Sequence, residues 1–264
     1  MSHHFDGKTV LITGGGSGLG RAMALKFAKY GATVAVIGRR QEALNETVML
    51  MGGGIALACD VRDAARVDDV MREIVGQTGR LDVLVNNAAG NFVVPSEQLS
   101  PNGFKSVVDI VLNGTFHCTR AAFEPLRESR GSILNIIATY AWTGEPGVLH
   151  SASAKAGVLA MTLTLAAEWG RYGIRANAIA PGPVHTEGTD KNLWSVADVE
   201  EHVKKQVPLG RLGTADDVAK AALWLSSDDA SWVSGATLTV DGAHHLQGGT
   251  LNFRAAFDRT ATQT

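Results

Sequence analysis

K-T-V-L-I-T-G-G-G-S-G-L-G, residues 8–20, is the stretch on which the fold turns. Its first five residues form an apolar, β-branched run of strand length, and a helical pattern begins at Leu19. A glycine cluster lies between them. A strand that runs through glycines into a helix points backbone amides and a helix N-terminus at one place, an arrangement that receives a pyrophosphate. Thr13, Gly14, Gly16, Ser17, Gly18, Leu19 and Gly20 would form that cradle. The spacing is T-G-x-x-x-G-x-G, and Arg21 stands where G-x-G-x-x-G would place its last glycine.

Outward from this junction the same alternation repeats. Apolar runs at residues 33–37 (TVAVI), 55–59, 83–85, 132–137, 174–179 and 236–240 are separated by amphipathic helical patterns. Strands that are apolar on both faces, each followed by a helix, predict a parallel sheet covered on both sides. Right-handed crossovers then give an α/β, doubly wound (Rossmann) fold with a seven-stranded parallel sheet. No linker interrupts the pattern, so residues 1–264 are expected to form one domain. The longest helices should cover residues 102–127 and 151–172. The second opens on small residues, Ser151 to Ala154 with Ala156 and Gly157, where a subunit contact is expected, with close packing within the chain as the alternative. Weak periodicity at 184–207 suggests a substrate flap, and residues 242–264 form a C-terminal tail without a clear pattern.

Composition narrows the function classes. A formal net charge of −2 offers no electrostatic footprint for nucleic acid or an anionic membrane. No apolar stretch is long enough to span a bilayer. Cys59 and Cys118 each sit inside an apolar run and read as reduced core thiols. With no Ser-Lys-Leu terminus or presequence in view, a cytoplasmic location is expected.

Further ligand-binding residues follow the strands. Gly38-Arg39-Arg40 closes the second, where an acid would face a ribose 2′-hydroxyl and an arginine accommodates a 2′-phosphate. NADPH is therefore the expected cofactor, against the alternative of a solvated helix start. Asp60 and Val61 follow the third strand, Asp60 as an adenine partner or a helix cap. Asn86-Asn87-Ala88-Ala89-Gly90 follows the fourth, with Asn87, Ala88 and Gly90 permitting close approach to a ribose. Pro181-Gly182-Pro183 follows the sixth, ahead of Val184 and Thr186.

These ordered motifs resemble the short-chain dehydrogenase/reductase family over residues 8 to about 243. The departures narrow the resemblance. Family members usually carry a catalytic serine after strand five and a tyrosine in Tyr-x-x-x-Lys, where this chain has Ala138 and Ser151 ahead of Lys155. With Asn91, Asn113 and Tyr140 in order, the chain is most similar to the NADPH-dependent 2,4-dienoyl-CoA reductases of that family. The resemblance implies that Tyr140 and Asn91 hydrogen-bond the thioester oxygen and that Lys155 holds the nicotinamide ribose. It also implies that Ser151 helps order Lys155, that Asn113 maintains a local water and backbone network, and that Thr186 meets the nicotinamide amide.

The implied reaction places a hydride on the distal diene carbon and spreads charge onto the thioester oxygen, yielding a 3-enoyl-CoA in unsaturated fatty-acid breakdown. The partners expected are an acyl-CoA thioester and further copies of the chain, as a homotetramer. Two other functions remain open: a reductase of another enoyl thioester or enone, and an inactive NADPH-binding sensor. Near the site, Trp142 reads as a packing residue, His150 as the start of a helix, Glu145 as an exposed acid and His185 as a flap residue. His244 and His245 lack the spaced partners of a metal site. Lys191, Arg211 and Arg254 are available for the CoA phosphates.

Overall fold

The computed structural model describes residues 5–186 and 199–248. Seven parallel strands form one sheet in the order β3-β2-β1-β4-β5-β6-β9. They are β1 (Thr9–Thr13), β2 (Thr33–Gly38), β3 (Ile55–Ala58), β4 (Val83–Asn86), β5 (Ser132–Ile136), β6 (Arg175–Pro181) and β9 (Thr237–Val240). Alternation along β1 explains its unbroken apolar character. Val10 and Ile12 pack into the core beneath Met23 and Phe27, while Leu11 packs on the opposite face with Ile74 and Leu84. Both faces are buried, so neither position tolerates a polar side chain.

Helices α1 (Gly18–Lys29), α2 (Gln41–Met51) and α3 (Ala64–Thr78) make the first crossovers. The chain builds outward from β1 to β3, then returns to place β4 on the other side of β1. The carboxyl ends of β1 and β4 thus flank a topological switch point, where an open α/β sheet leaves a crevice.

The helix expected over residues 102–127 is divided. It comprises α4 (Pro101–Val108), a π-turn (Asp109–Asn113), α5 (Gly114–Ala121) and α6 (Phe123–Ser129). Pro125 explains the second break, because it has no amide proton for the carbonyl of Ala121 and its ring crowds that carbonyl. After the short α7 (Tyr140–Thr143), α8 (Leu149–Trp169) carries the second long helical pattern. Of its small residues, Gly157 serves packing within the chain, since a Cβ there would lie 2.9 Å from Leu112, whereas Ser153 is exposed.

Beyond β6, the two-residue strands β7 (Val184–His185) and β8 (Gly213–Thr214) pair with each other, and α9 (Val199–Gln206) lies between them. Helix α10 (Ala215–Ser226) packs on α1. Parts of the expected flap and tail, residues 187–198 and 249–264, lie outside the described residues, as do Lys191 and Arg254. Among the described residues no helix is long and apolar enough to cross a membrane.

Candidate active site

A cavity of about 1250 Å³ opens at the switch point. Its floor is the glycine-rich turn. Gly14 has φ +67°, and a Cβ there would lie 3.0 Å from Asn87 Nδ2 and 3.1 Å from Ala88 Cα. A Cβ on Gly20 would collide with the Gly14 carbonyl, so the first turn of α1 closes on the loop only without a side chain. Gly14, Gly16, Ser17, Gly18 and Leu19 line the cavity. Thr13 acts from behind: its buried Oγ1 accepts hydrogen bonds from Asn87 N (2.9 Å) and Ala88 N (2.8 Å). Asn87 Nδ2 in turn donates to Thr13 O at 2.9 Å, which fixes the ends of β1 and β4 together.

Three residues that stood out for nothing in the sequence also hold the turn. Arg21 donates to the Gly16 carbonyl (2.7 Å) and Thr47 Oγ1 (3.1 Å), and pairs with Glu46 at 2.7 Å. Thr47 Oγ1 donates to the Gly15 carbonyl at 3.0 Å. Their only sequence signal was Arg21 in a glycine's place.

The far wall carries charged side chains. Arg39 and Arg40 are exposed on the cavity wall, and neither side chain is engaged in a hydrogen bond or ion pair among the described residues. Asp60 also lines the cavity, but its carboxylate is held by Arg62, whose Nη2 lies 2.5 Å from Oδ2. That hydrogen bond keeps the Asp60 carboxyl below its usual range. Val61 lines the same end, and a Cβ on Gly114 would lie 2.5 Å from it. Ala88, Gly90, Pro181, Gly182, Val184 and Thr186 complete the walls, with Thr186 facing Gly18 across the turn. The glycine-rich turn and these two guanidinium groups thus border one cavity.

The reactive end brings Ala138, Tyr140, Lys155 and Asn91 to one cavity. Tyr140 Oη and Ser151 Oγ are 3.1 Å apart. Burial raises the phenol above its ordinary pKa, an effect opposed by the Ser151 contact, so Tyr140 remains a donor at neutral pH. Lys155 is buried on α8, donates to the Ile136 carbonyl at the end of β5, and has its pKa lowered by burial to about 8. Asn91 is exposed, and its Oδ1 accepts the Phe92 amide at 2.9 Å. The amide is thereby oriented with Nδ2 as its free, donating end.

A buried side-chain ladder sets these elements in register. Asn86 Nδ2 donates to Asn135 Oδ1 (2.9 Å) and Thr119 Oγ1 (3.1 Å), and Asn135 Nδ2 donates to Thr162 Oγ1 at 2.8 Å. It joins β4, β5, α5 and α8, the elements that carry Asn91, Tyr140, Ser151 and Lys155 into position.

Asn113 departs from expectation. It is exposed at the end of the π-turn, donates to Asp109 Oδ1 at 3.0 Å, and does not line the cavity. The wider i→i+5 turn rotates it away from the face that carries Ile110 to the site. Arg211, a candidate for the CoA phosphates, is engaged by Asp217 at 2.8 Å. His185 pairs with Glu200 at 3.3 Å. Among the described residues no cluster of His, Cys, Asp and Glu could hold a metal ion.

Relatives bear on this geometry. A family model described as Enoyl-(Acyl carrier protein) reductase matches residues 14–245. A curated protein of Bacillus subtilis, the "Probable 2,4-dienoyl-CoA reductase [(2E)-enoyl-CoA-producing]", is 50% identical over 246 residues, covering 90% of this chain and 97% of its own. The chain belongs to the short-chain dehydrogenase/reductase family. Within that family, the "Peroxisomal 2,4-dienoyl-CoA reductase [(3E)-enoyl-CoA-producing]" of Arabidopsis thaliana is 41% identical, covering 89% of this chain and 84% of its own. A crystal structure of a short-chain dehydrogenase from Bacillus anthracis superposes with a TM-score of 0.85 at 45% identity, covering 95% of this chain and all of that one. The chain is thus an oxidoreductase of this family, similar to relatives named 2,4-dienoyl-CoA reductases, and the family works with a nicotinamide cofactor.

Proposed function

We propose that this protein reduces 2,4-dienoyl-CoA thioesters with NADPH. The observation that carries the reading is the pairing of Tyr140 with Ser151 at one wall of a cavity that Asn91 also lines, with Ala138 where the family's serine would stand. A nicotinamide held by these residues would supply a hydride to the distal diene carbon. With the two C=C pairs and the carbonyl pair displaced along the conjugated system, negative charge collects on the thioester oxygen. Tyr140 Oη and Asn91 Nδ2 donate to that oxygen, where each such donor lowers the barrier by on the order of 3 kcal/mol. Lys155 holds the nicotinamide ribose, and its ammonium adds favourable potential at the same end of the cavity. Arg39 and Arg40 bind the 2′-phosphate and select NADPH over NADH. The protein acts as a homotetramer in the cytoplasm, on intermediates of unsaturated fatty-acid breakdown.

Protonation of the dienolate at the α carbon gives a 3-enoyl-CoA; protonation at the γ carbon would give the 2-enoyl isomer. The relatives' names divide on this point, the Bacillus subtilis protein being called (2E)-enoyl-CoA-producing and the Arabidopsis thaliana protein (3E)-enoyl-CoA-producing. We favour the α carbon, with water as the donor. NADPH oxidation by the purified protein should be fast with a 2,4-dienoyl-CoA and negligible with a mono-unsaturated 2-enoyl-CoA. Equal rates with both would replace this reading by a general enoyl reductase, and no turnover of either would leave a nucleotide-binding protein. Proton NMR of the product identifies the protonated carbon independently.

A further inference from the structure

His150 joins the two proposed oxygen donors. It is fully buried at the start of α8, which begins without a side-chain cap because Val148 occupies the N-cap. The first amides of a helix lack intrahelical acceptors. Here the ring of His150 supplies one, accepting the Ser151 amide on Nδ1 at 2.9 Å. A backbone N–H can only donate, so Nδ1 is unprotonated and the proton resides on Nε2. Nε2 has no partner among the described residues. The ring edge meets Phe92, with centroids 4.3 Å apart and planes at 85°.

These contacts form one continuous chain that starts and ends at the cavity, which Tyr140, Phe92 and Asn91 line, and passes behind its wall through buried Ser151 and His150. Tyr140 Oη meets Ser151 Oγ, the Ser151 amide meets His150, His150 packs on Phe92, and the Phe92 amide holds Asn91 Oδ1. The phenol sits at one end and the carboxamide at the other. We propose that His150, in its neutral Nε2–H form, is a positioning residue that sets the spacing of Tyr140 and Asn91. It touches neither cofactor nor thioester in this scheme; it acts through Ser151 and Phe92. The proposal rests on the dienolate-oxygen reading above.

Three substitutions separate its two contacts. His150→Asn keeps an acceptor close to the place of Nδ1, His150→Gln moves the amide to the Nε2 end, and His150→Phe keeps the ring but has no acceptor. Steady-state kinetics with 2,4-dienoyl-CoA should show kcat reduced about tenfold or more in the Gln and Phe variants, with NADPH Kd changed by less than about threefold. The Asn variant should recover most of the loss. Unchanged kcat in all three, or equal losses in all three, overturns the proposal. ¹⁵N chemical shifts of histidine-labelled wild-type protein provide a test that needs no variant: the Nε2–H tautomer supports the assignment and the Nδ1–H tautomer overturns it. Wild-type protein that turns over no dienoyl-CoA would sink the functional reading instead, and the control assay reports that separately.

Discussion

In the proposed reaction Tyr140 and Asn91 share one task, yet their environments differ. The phenol is mostly shielded and retains its proton through burial, whereas the carboxamide is exposed and is oriented by one backbone amide. Tyr140→Phe should lower kcat by about 10²-fold, and Asn91→Ala by a similar or smaller factor, since a mobile, solvated donor is less preorganised. NADPH affinity, measured by fluorescence titration, should change little in either. Lys155 makes a different prediction. Burial lowers its pKa to about 8 from the ordinary lysine value of 10.5, so between those pH values the unfolded chain binds more protons than the folded one. Its burial therefore costs stability at neutral pH, and that cost is relieved as pH rises from about 8 towards 10.5. Lys155→Met should remove this component. The wild-type-minus-variant difference in urea stability should be most unfavourable to wild type below pH 8 and shrink above it, while the variant loses turnover. Arg39→Ala with Arg40→Ala should raise KM for NADPH by an order of magnitude or more and leave KM for NADH nearly unchanged, as charge-assisted contacts of about 1.5–3 kcal/mol are lost.

At the scale of elements, the site depends on strand ends being tied together. Thr13 Oγ1 accepts two amides from the loop after β4. Thr13→Val keeps the shape and strands both donors, so it should cost about 1–3 kcal/mol in urea-monitored stability. NADPH binding should weaken in parallel, because the same bonds set the cavity floor. Most of the sheet was legible before any coordinates, since strands buried on both faces leave an unbroken apolar signature, as Val10, Leu11 and Ile12 do. The glycine-rich turn was legible because its conformation excludes side chains at Gly14 and Gly20. Helix interruptions were not. Pro125 was visible, but the π-turn at Asp109–Asn113 has no compositional mark. That one turn moved Asn113 out of the site. The Asn86–Asn135–Thr162 ladder was equally hidden, because pairing of buried amides depends on strand register and leaves no trace in local periodicity.

Across the whole molecule, the exposed apolar surface is unevenly distributed. Phe116 and Leu163 are each 50% exposed, and Phe116 borders a groove of about 410 Å³ with Phe123, Met161 and Trp169 between α5 and α8. Such a patch favours association of copies of the chain. Sedimentation should give a multiple of the 27.8 kDa protomer, and Phe116→Asp should shift the distribution towards smaller species. The clamp on the glycine-rich turn has a consequence at this scale too. Arg21, Glu46 and Thr47 fix the turn's carbonyls from α1 and α2, so its shape is established by the folded chain alone. The dinucleotide meets a receptor already formed. Its capture should proceed in a single kinetic phase whose rate climbs linearly with concentration, with no slow isomerisation limiting the start of each cycle.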